Sequence, residues 1–262
     1  MAAAPSLQEL LDAAMEAAYL AGRRTLAYFN AGVEVETKAD ATPVTRADRE
    51  AEQLIRAFVQ KRYPGHAIVG EEYGEQAGDA NYRWIVDPID GTKSFVAGVP
   101  LYGTLIGIEV YGKAAVGVVY LPAQGEMIAA ADGLGCRWNG RPCRVSNVAQ
   151  LSEASLLTSD VRMCQQRSDA YDRLAAQARL VRTWGDACGY ALVATGRADV
   201  MLDPAMHPWD CAPLLPILQE AGGHFATWQG EATIRGKDAF ATNAALYDEV
   251  LSVLKSEQPR KS

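Results

Sequence analysis

Apolar residues recur at positions 7, 10, 11, 14 and 18, behind Ser6 and Glu9 in capping-box spacing, and predict a helix over about 6–29. The polar stretch VEVETKADATPVT separates it from a second helical pattern over about 46–62, closed by Pro64 and Gly65. The runs AIVG and RWIV are too short for helices and read as strands; the first leads into Glu71-Glu72, the second into DPIDGT. Over 101–145, β-rich segments are broken by YGK, PAQGE, DGLG and NGR, which predicts an antiparallel meander. From about 151 strands and helices alternate: SLLTS, a helix near 167–178, ARLVRT, a helix near 186–195 stopped by Gly196, and ADVMLD. A helix near 210–221, closed by Gly222-Gly223, the strand HFATW and a last helix near 243–255 complete the chain, and SEQPRKS reads as a frayed tail. Pro216 falls inside the 210–221 helix and should bend it. Helices alternating with mixed sheets imply stacked layers of the α+β class, 1–150 and 151–262 forming two halves of one compact unit.

Charge narrows the function classes. With 25 Lys and Arg against 32 Asp and Glu over 262 residues, net −7, the chain is a poor candidate for nucleic-acid or anionic-membrane binding. The longest apolar stretch is interrupted by Glu109 and Lys113, so no membrane span is expected, and acidic residues in the N-terminal stretch argue for a cytoplasmic protein. Cys136, Cys143, Cys164, Cys188 and Cys211 lack metal or disulfide spacing and read as small buried residues. Only three histidines, His66, His207 and His224, are present, so any metal is expected among oxygen ligands.

The chemistry concentrates in carboxylates. In WIVDPIDGT, Asp87 and Asp90 leave a strand at its carboxyl end, where open α/β sheets place ligands. Pro88 stiffens the turn, Gly91 permits close backbone approach, and a helix starting near Thr92 would point its positive end at an anion. Two carboxylates so close need a cation or a shared proton, and Mg²⁺ takes carboxylate and carbonyl oxygens, that of Ile89 included. The same aspartates also suit turns, Glu71-Glu72 alone suits a solvated surface, and Asp210 alone suits a helix N-cap.

GEE at 70–72, DPIDGT at 87–92, WDCA at 209–212 with EAGG at 220–223, and ADATPVTRAD at 39–48 together resemble the inositol monophosphatase-like family of metal-dependent phosphatases over nearly the whole chain. The resemblance implies the layered αβαβα sandwich of the inositol monophosphatase/fructose-bisphosphatase type. It implies Glu71, Asp87 and the Ile89 carbonyl as ligands of one Mg²⁺, and Asp87, Asp90 and Asp210 as ligands of a second, with a third, weaker ion near the glutamate. It makes Thr92 and Glu71 the residues that orient or deprotonate the attacking water, and backbone groups of Gly91 and Thr92 the phosphate holders, with Asp90 and Asp210 bordering the substrate. Two ions ~4 Å apart would acidify a water and neutralise the phosphate, with no covalent intermediate. Asp48 reads either as a helix cap with Thr45 or as a catalytic residue acting through Thr92 or water. Inhibition by Li⁺ and a homodimer also follow from the resemblance.

DPIDGTKSFVAGVPLYGTLIG, RTWGDACGYALVATGRADVMLDP and HPWDCAPLLPILQEAGG look like the histidinol-phosphate phosphatase branch. Asp186 and Asp203 are extra carboxylates that suit the ammonium and imidazole of that substrate, and Arg182 would orient the phosphate. Trp184 reads as a ring-stacking or core aromatic, His207 and His224 as structural. A broader inositol-1-phosphate, sugar or nucleotide phosphatase is the runner-up, and a non-catalytic phosphate-binding protein the alternative of another class.

Overall fold

The computed structural model describes residues 4–32, 34–37 and 43–256, so the expected frayed tail lies outside the described residues. Helix α1 (Leu7–Leu26) starts at a capping box in which the Ser6 hydroxyl accepts the Glu9 N–H and the Glu9 carboxylate accepts the Ser6 N–H. Strands β1 (Val35–Thr37) and β2 (Pro43–Thr45) pair antiparallel within the segment expected as loop, and α2 (Arg46–Arg62) follows.

Next come β3 (His66–Gly70), β4 (Gly74–Gln76), β5 (Asp79–Asp90), the short α3 (Thr92–Val96), β6 (Gly103–Val110), β7 (Lys113–Leu121), β8 (Glu126–Ala131), β9 (Gly135–Trp138) and β10 (Arg141–Pro142). They form an eight-stranded sheet in the order β10-β9-β8-β7-β6-β5-β3-β4, antiparallel except for the β3–β5 pair.

The second half contains β11 (Ser155–Thr158), α4 (Val161–Arg167), α5 (Ala170–Gln177), β12 (Leu180–Arg182), α6 (Asp186–Ala194), β13 (Val200–Asp203), α7 (Pro208–Glu220), β14 (Gly223–Ala226), β15 (Ala239–Asn243) and α8 (Tyr247–Lys255). Its five strands order as β12-β11-β13-β15-β14. Two differences from the sequence reading stand out. The helix expected near 167–178 is α5, which starts at Ala170 because Ser168 is extended (φ −161°) and its hydroxyl accepts the Ala170 N–H, and α4 before it was not foreseen. Strand β15, central in its sheet, was not foreseen: AFATN is buried at every position and so shows no polar alternation.

Three apolar clusters define five layers. One unites α1 and α2 with Trp84, Val86, Ile106, Ile108, Val116 and Val118 of the large sheet. A second fills the space between the two sheets with α6 and α7, and a third packs α4, α5 and α8 on the outer face of the small sheet. The result is the expected αβαβα sandwich. At its centre α7 lies very close to the large sheet: paired Gly107 and Gly117 face Ala212 and Pro213, and a Cβ on Gly117 would meet the Pro213 carbonyl oxygen at 2.0 Å. Helix α7 continues through both Pro213 and Pro216. All five cysteines are free; four are buried, and Cys143 is half-buried with its sulfur 3.5 Å from that of Cys136.

Candidate active site

In a regular strand, side chains three positions apart face opposite ways. Strand β5 avoids this: Asp87 pairs with Leu105 and Asp90 with Gly103, so three steps on β5 oppose two on β6. The extra residue is a bulge, which re-aims side chains, and it turns both carboxylates toward the α7 side. The Asp87 Oδ1 also accepts the Ile89 N–H at 3.0 Å, so this aspartate shapes its turn as well. Gly91 follows at φ 82°, and a Cβ there would meet the Leu101 carbonyl oxygen at 2.8 Å and the Asp186 Oδ2 at 3.0 Å.

Asp210 arrives from the first turn of α7, where Pro208 occupies the helix start and the Asp210 Oδ2 accepts the His207 N–H at 2.7 Å. This is a capping contact, and it leaves the other carboxylate oxygen free to join the cluster. One oxygen from each of Asp87, Asp90 and Asp210 lies within 4.8 Å of the others. Glu71, in the turn after β3, completes the group by hydrogen bonding to Asp87.

The electrostatics follow from that crowding. Burial first, then the charges of Glu71, Asp90 and Asp210, hold Asp87 well above the usual carboxylate range. Burial, then Asp186 and Asp210, does the same to Asp90. Burial, opposed by the His207 N–H and reinforced by Glu71, pushes Asp210 up to about 7. An all-oxygen donor set whose members raise one another's proton affinity fits a hard divalent cation, which would replace protons as the counter-charge.

Asp48 caps α2 and also lies beside Thr92. Its Oδ2 accepts the Thr45 N–H at 2.8 Å and the Thr45 hydroxyl at 2.6 Å, closing a capping box, while its Oδ1 lies 3.5 Å from the Thr92 hydroxyl. Burial raises its pKa against those bonds. The Thr92 hydroxyl donates to the Ile89 carbonyl at 2.9 Å, the carbonyl expected at the metal.

A cavity of about 310 Å³ opens beside the cluster, lined by Asp90 and Asp210 together with Asp186, Asp203, Ser159 and Met163. Its volume lies at the small end of the range for small-molecule sites. Asp186 is held at φ 52°, rare for a residue with a side chain, and its N–H donates to the Ser159 hydroxyl at 2.7 Å. The next N–H, of Ala187, donates to Asp90. The start of α6 is therefore fastened to Asp90 of the carboxylate cluster. Asp203, buried at the end of β13, accepts the Ser159 N–H at 3.2 Å, and burial pushes it up to about 8 against its Ser159 bond. Burial also raises Asp186.

Two expectations are corrected. Arg182 does not reach the cavity: it is exposed on edge strand β12, and its guanidinium donates to the Val181 carbonyl. Trp184 is not a core aromatic; it is 41% exposed and borders a separate apolar groove with Leu101, Leu121 and Leu192. The cation lining the cavity is instead Lys93, whose charge partly offsets the rise that burial gives Asp186. Lys93 directly follows DPIDGT and was not singled out by it, and Ser159, which bonds both Asp186 and Asp203, carried no sequence signal.

The model of the Inositol monophosphatase family matches residues 6–258. A histidinol-phosphatase of Chlorobaculum parvum is 41% identical over 248 residues, covering 93% of this chain and 96% of the relative. One from Mycobacterium tuberculosis is 40% identical over 229 residues, covering 85% and 88%. Among solved structures, the extragenic suppressor protein suhB from Bartonella henselae superposes with a TM-score of 0.88 at 30% identity, covering 94% of this chain and 98% of that one. An inositol monophosphatase from Anabaena gives 0.84 at 30% identity, covering 97% and 98%.

Proposed function

Given that the chain belongs to the inositol monophosphatase family and is a phosphatase, we propose that it is a Mg²⁺-dependent histidinol-phosphate phosphatase, converting L-histidinol phosphate and water to L-histidinol and phosphate. The observation that carries this reading is the charge layout of one cavity. Asp90 and Asp210, which cluster with Asp87, line it together with two further carboxylates, Asp186 and Asp203. Carboxylates beside a phosphate site repel a purely anionic ester and suit an alcohol that carries cations. The relatives named histidinol-phosphatase support the same choice.

Glu71, Asp87, Asp90, Asp210 and the Ile89 carbonyl are the residues that would hold two or three Mg²⁺. Such ions would neutralise phosphate charge and acidify a water. Around them the chain's own groups do the rest. The Thr92 oxygen and the Glu71 carboxylate face the water's place. As the water's proton moves to the Thr92 oxygen, the Thr92 hydroxyl proton would pass to Asp48, whose raised pKa suits it to accept one. Gly91 leaves room for the ester close to the backbone, and Lys93 balances the aspartates around it. Asp186 and Asp203 take the ammonium and imidazole. The working unit is proposed as a cytoplasmic homodimer, which light scattering tests for mass.

The deciding experiment is phosphate release from histidinol phosphate and from inositol-1-phosphate by purified protein, with Mg²⁺ and with a chelator. A higher kcat/KM on histidinol phosphate, abolished by the chelator and restored by Mg²⁺, is expected. Preference for inositol-1-phosphate would instead support the broader phosphatase, and no release from any phosphomonoester would support a binding protein.

A further inference from the structure

Glu52 is a fully buried carboxylate that the chemistry above does not use. It lies on α2 four residues after Asp48, hence on the same face of the helix. Its Oε2 accepts the Glu72 N–H at 2.7 Å and its Oε1 the Tyr73 N–H at 3.2 Å. Arg56, one further turn along, donates its Nε to Oε1 at 2.7 Å and its other arm to the Gly74 carbonyl. On the near side, Gly70 has no side chain because the Glu52 carboxylate fills that space: a Cβ there would lie 2.0 Å from Oε1. The carboxylate–guanidinium pair thus bonds the backbone just after Glu71 and fills the space over Gly70 just before it.

A buried carboxylate is a costly way to fill volume, since an apolar side chain of that size would pack there without a charge to compensate. What the carboxylate alone supplies is two acceptors aimed at consecutive N–H groups. They fix the backbone on the far side of Glu71, while the β3 pairing fixes the near side.

We propose that Glu52, oriented by Arg56, is a positioning residue that holds the Glu71 turn in its cation-facing conformation. This rests on the metal reading of the site. Helix α2 then serves the water side of the site twice, through Asp48 to Thr92 and through Glu52 to the Glu71 backbone. Partners of this kind, one step removed from a ligand, typically change metal affinity about 10- to 100-fold when altered.

The test uses the full chain and Mg²⁺ alone, by isothermal titration without substrate, on unmodified protein, E52Q and R56M. Glu52→Gln replaces one acceptor by an NH₂ that opposes an N–H, and Arg56→Met leaves the carboxylate but removes its orienting partner. Melting in the absence of Mg²⁺ checks that each variant is folded. An Mg²⁺ dissociation constant raised about tenfold or more in E52Q, and less in R56M, is expected. Activity lost at limiting Mg²⁺ should recover as Mg²⁺ is raised, with KM for the phosphate ester within about twofold, because the ester does not touch Glu52. If E52Q does not fold, the same criterion applies to R56M. Unchanged affinity in the folded variants, or activity lost equally at every Mg²⁺ concentration, overturns the role of Glu52. No Mg²⁺ binding by the unmodified protein overturns the metal reading itself, and the two failures are therefore distinguishable.

Discussion

Asp186 is the residue on which substrate choice turns, and Asp186→Asn isolates its charge. The position sits at φ 52°, where asparagine is tolerated but alanine adds strain of about 1 kcal/mol. Asparagine also leaves intact the backbone bonds from 186 to Ser159 and from Ala187 to Asp90. What is lost is one charge-assisted hydrogen bond to a substrate ammonium, about 1.5–3 kcal/mol. At about 1.4 kcal/mol per tenfold, kcat/KM for histidinol phosphate should fall about 10- to 150-fold. A neutral polyol phosphate makes no such bond, so its kcat/KM should stay within about fivefold, the size of a screened charge effect. The assay is phosphate release at saturating Mg²⁺ on both esters, with melting curves to confirm folding. Parallel losses on the two substrates would refute the reasoning, since they would make Asp186 a general support of the site.

Thr92→Ala should lower kcat about 100-fold or more while Thr92→Ser retains most of it, measured as steady-state phosphate release; equal rates for the two would remove the hydroxyl from the chemistry. Gly117→Ala pushes a methyl into the Pro213 carbonyl, so melting should show a loss of about 1–3 kcal/mol, together with weaker Mg²⁺ binding as α7 shifts Asp210. Without divalent cations, stability should fall as pH rises: Asp210 sheds its proton near 4 when unfolded but at about 7 when folded, so between those values the folded state holds the extra proton. Each such group costs up to about 1.4 kcal/mol per pH unit, and Mg²⁺ should flatten the profile; a melting temperature that climbs from pH 5 to 7 in chelator would contradict this. Millimolar Li⁺ should inhibit phosphate release, and indifference to it would separate this site from the resemblance that predicted it.

Some of this was legible in the chain because local physics left a mark. The capping residues Ser6 and Glu9 fix the start of α1, and Thr45 and Asp48 that of α2, while DPIDGT announces a strand ending in paired acids. What was not legible depends on distant partners. Strand β15 is invisible by alternation because both its faces are covered. Pro216 reads as a bend in α7, yet the helix continues through it, and the close seat of α7 on Gly107 and Gly117 shows only in the packing. The bulge that turns Asp87 and Asp90 to one side is a property of how β5 pairs with β6, and a single strand's sequence does not encode it. Arg182 looked functional from its place in RTWGDACGY, yet an edge strand gives it no path to the cavity.

The same dependence explains why the site and the fold are hard to separate. Asp87 and Asp90 ride on the large sheet, Asp210 on the helix pressed between the sheets, and Asp203 on the small sheet. The Ala187 N–H to Asp90 and the Asp186 N–H to Ser159 cross between those layers. Each carboxylate is thus placed by packing that would exist without it, while their mutual repulsion works against that packing. A cation at the cluster would turn this repulsion into attraction between layers. On this argument Mg²⁺ should raise the resistance of the middle layers to hydrogen exchange, α6 and α7 above all, and leave the outer helices α5 and α8 nearly unaffected.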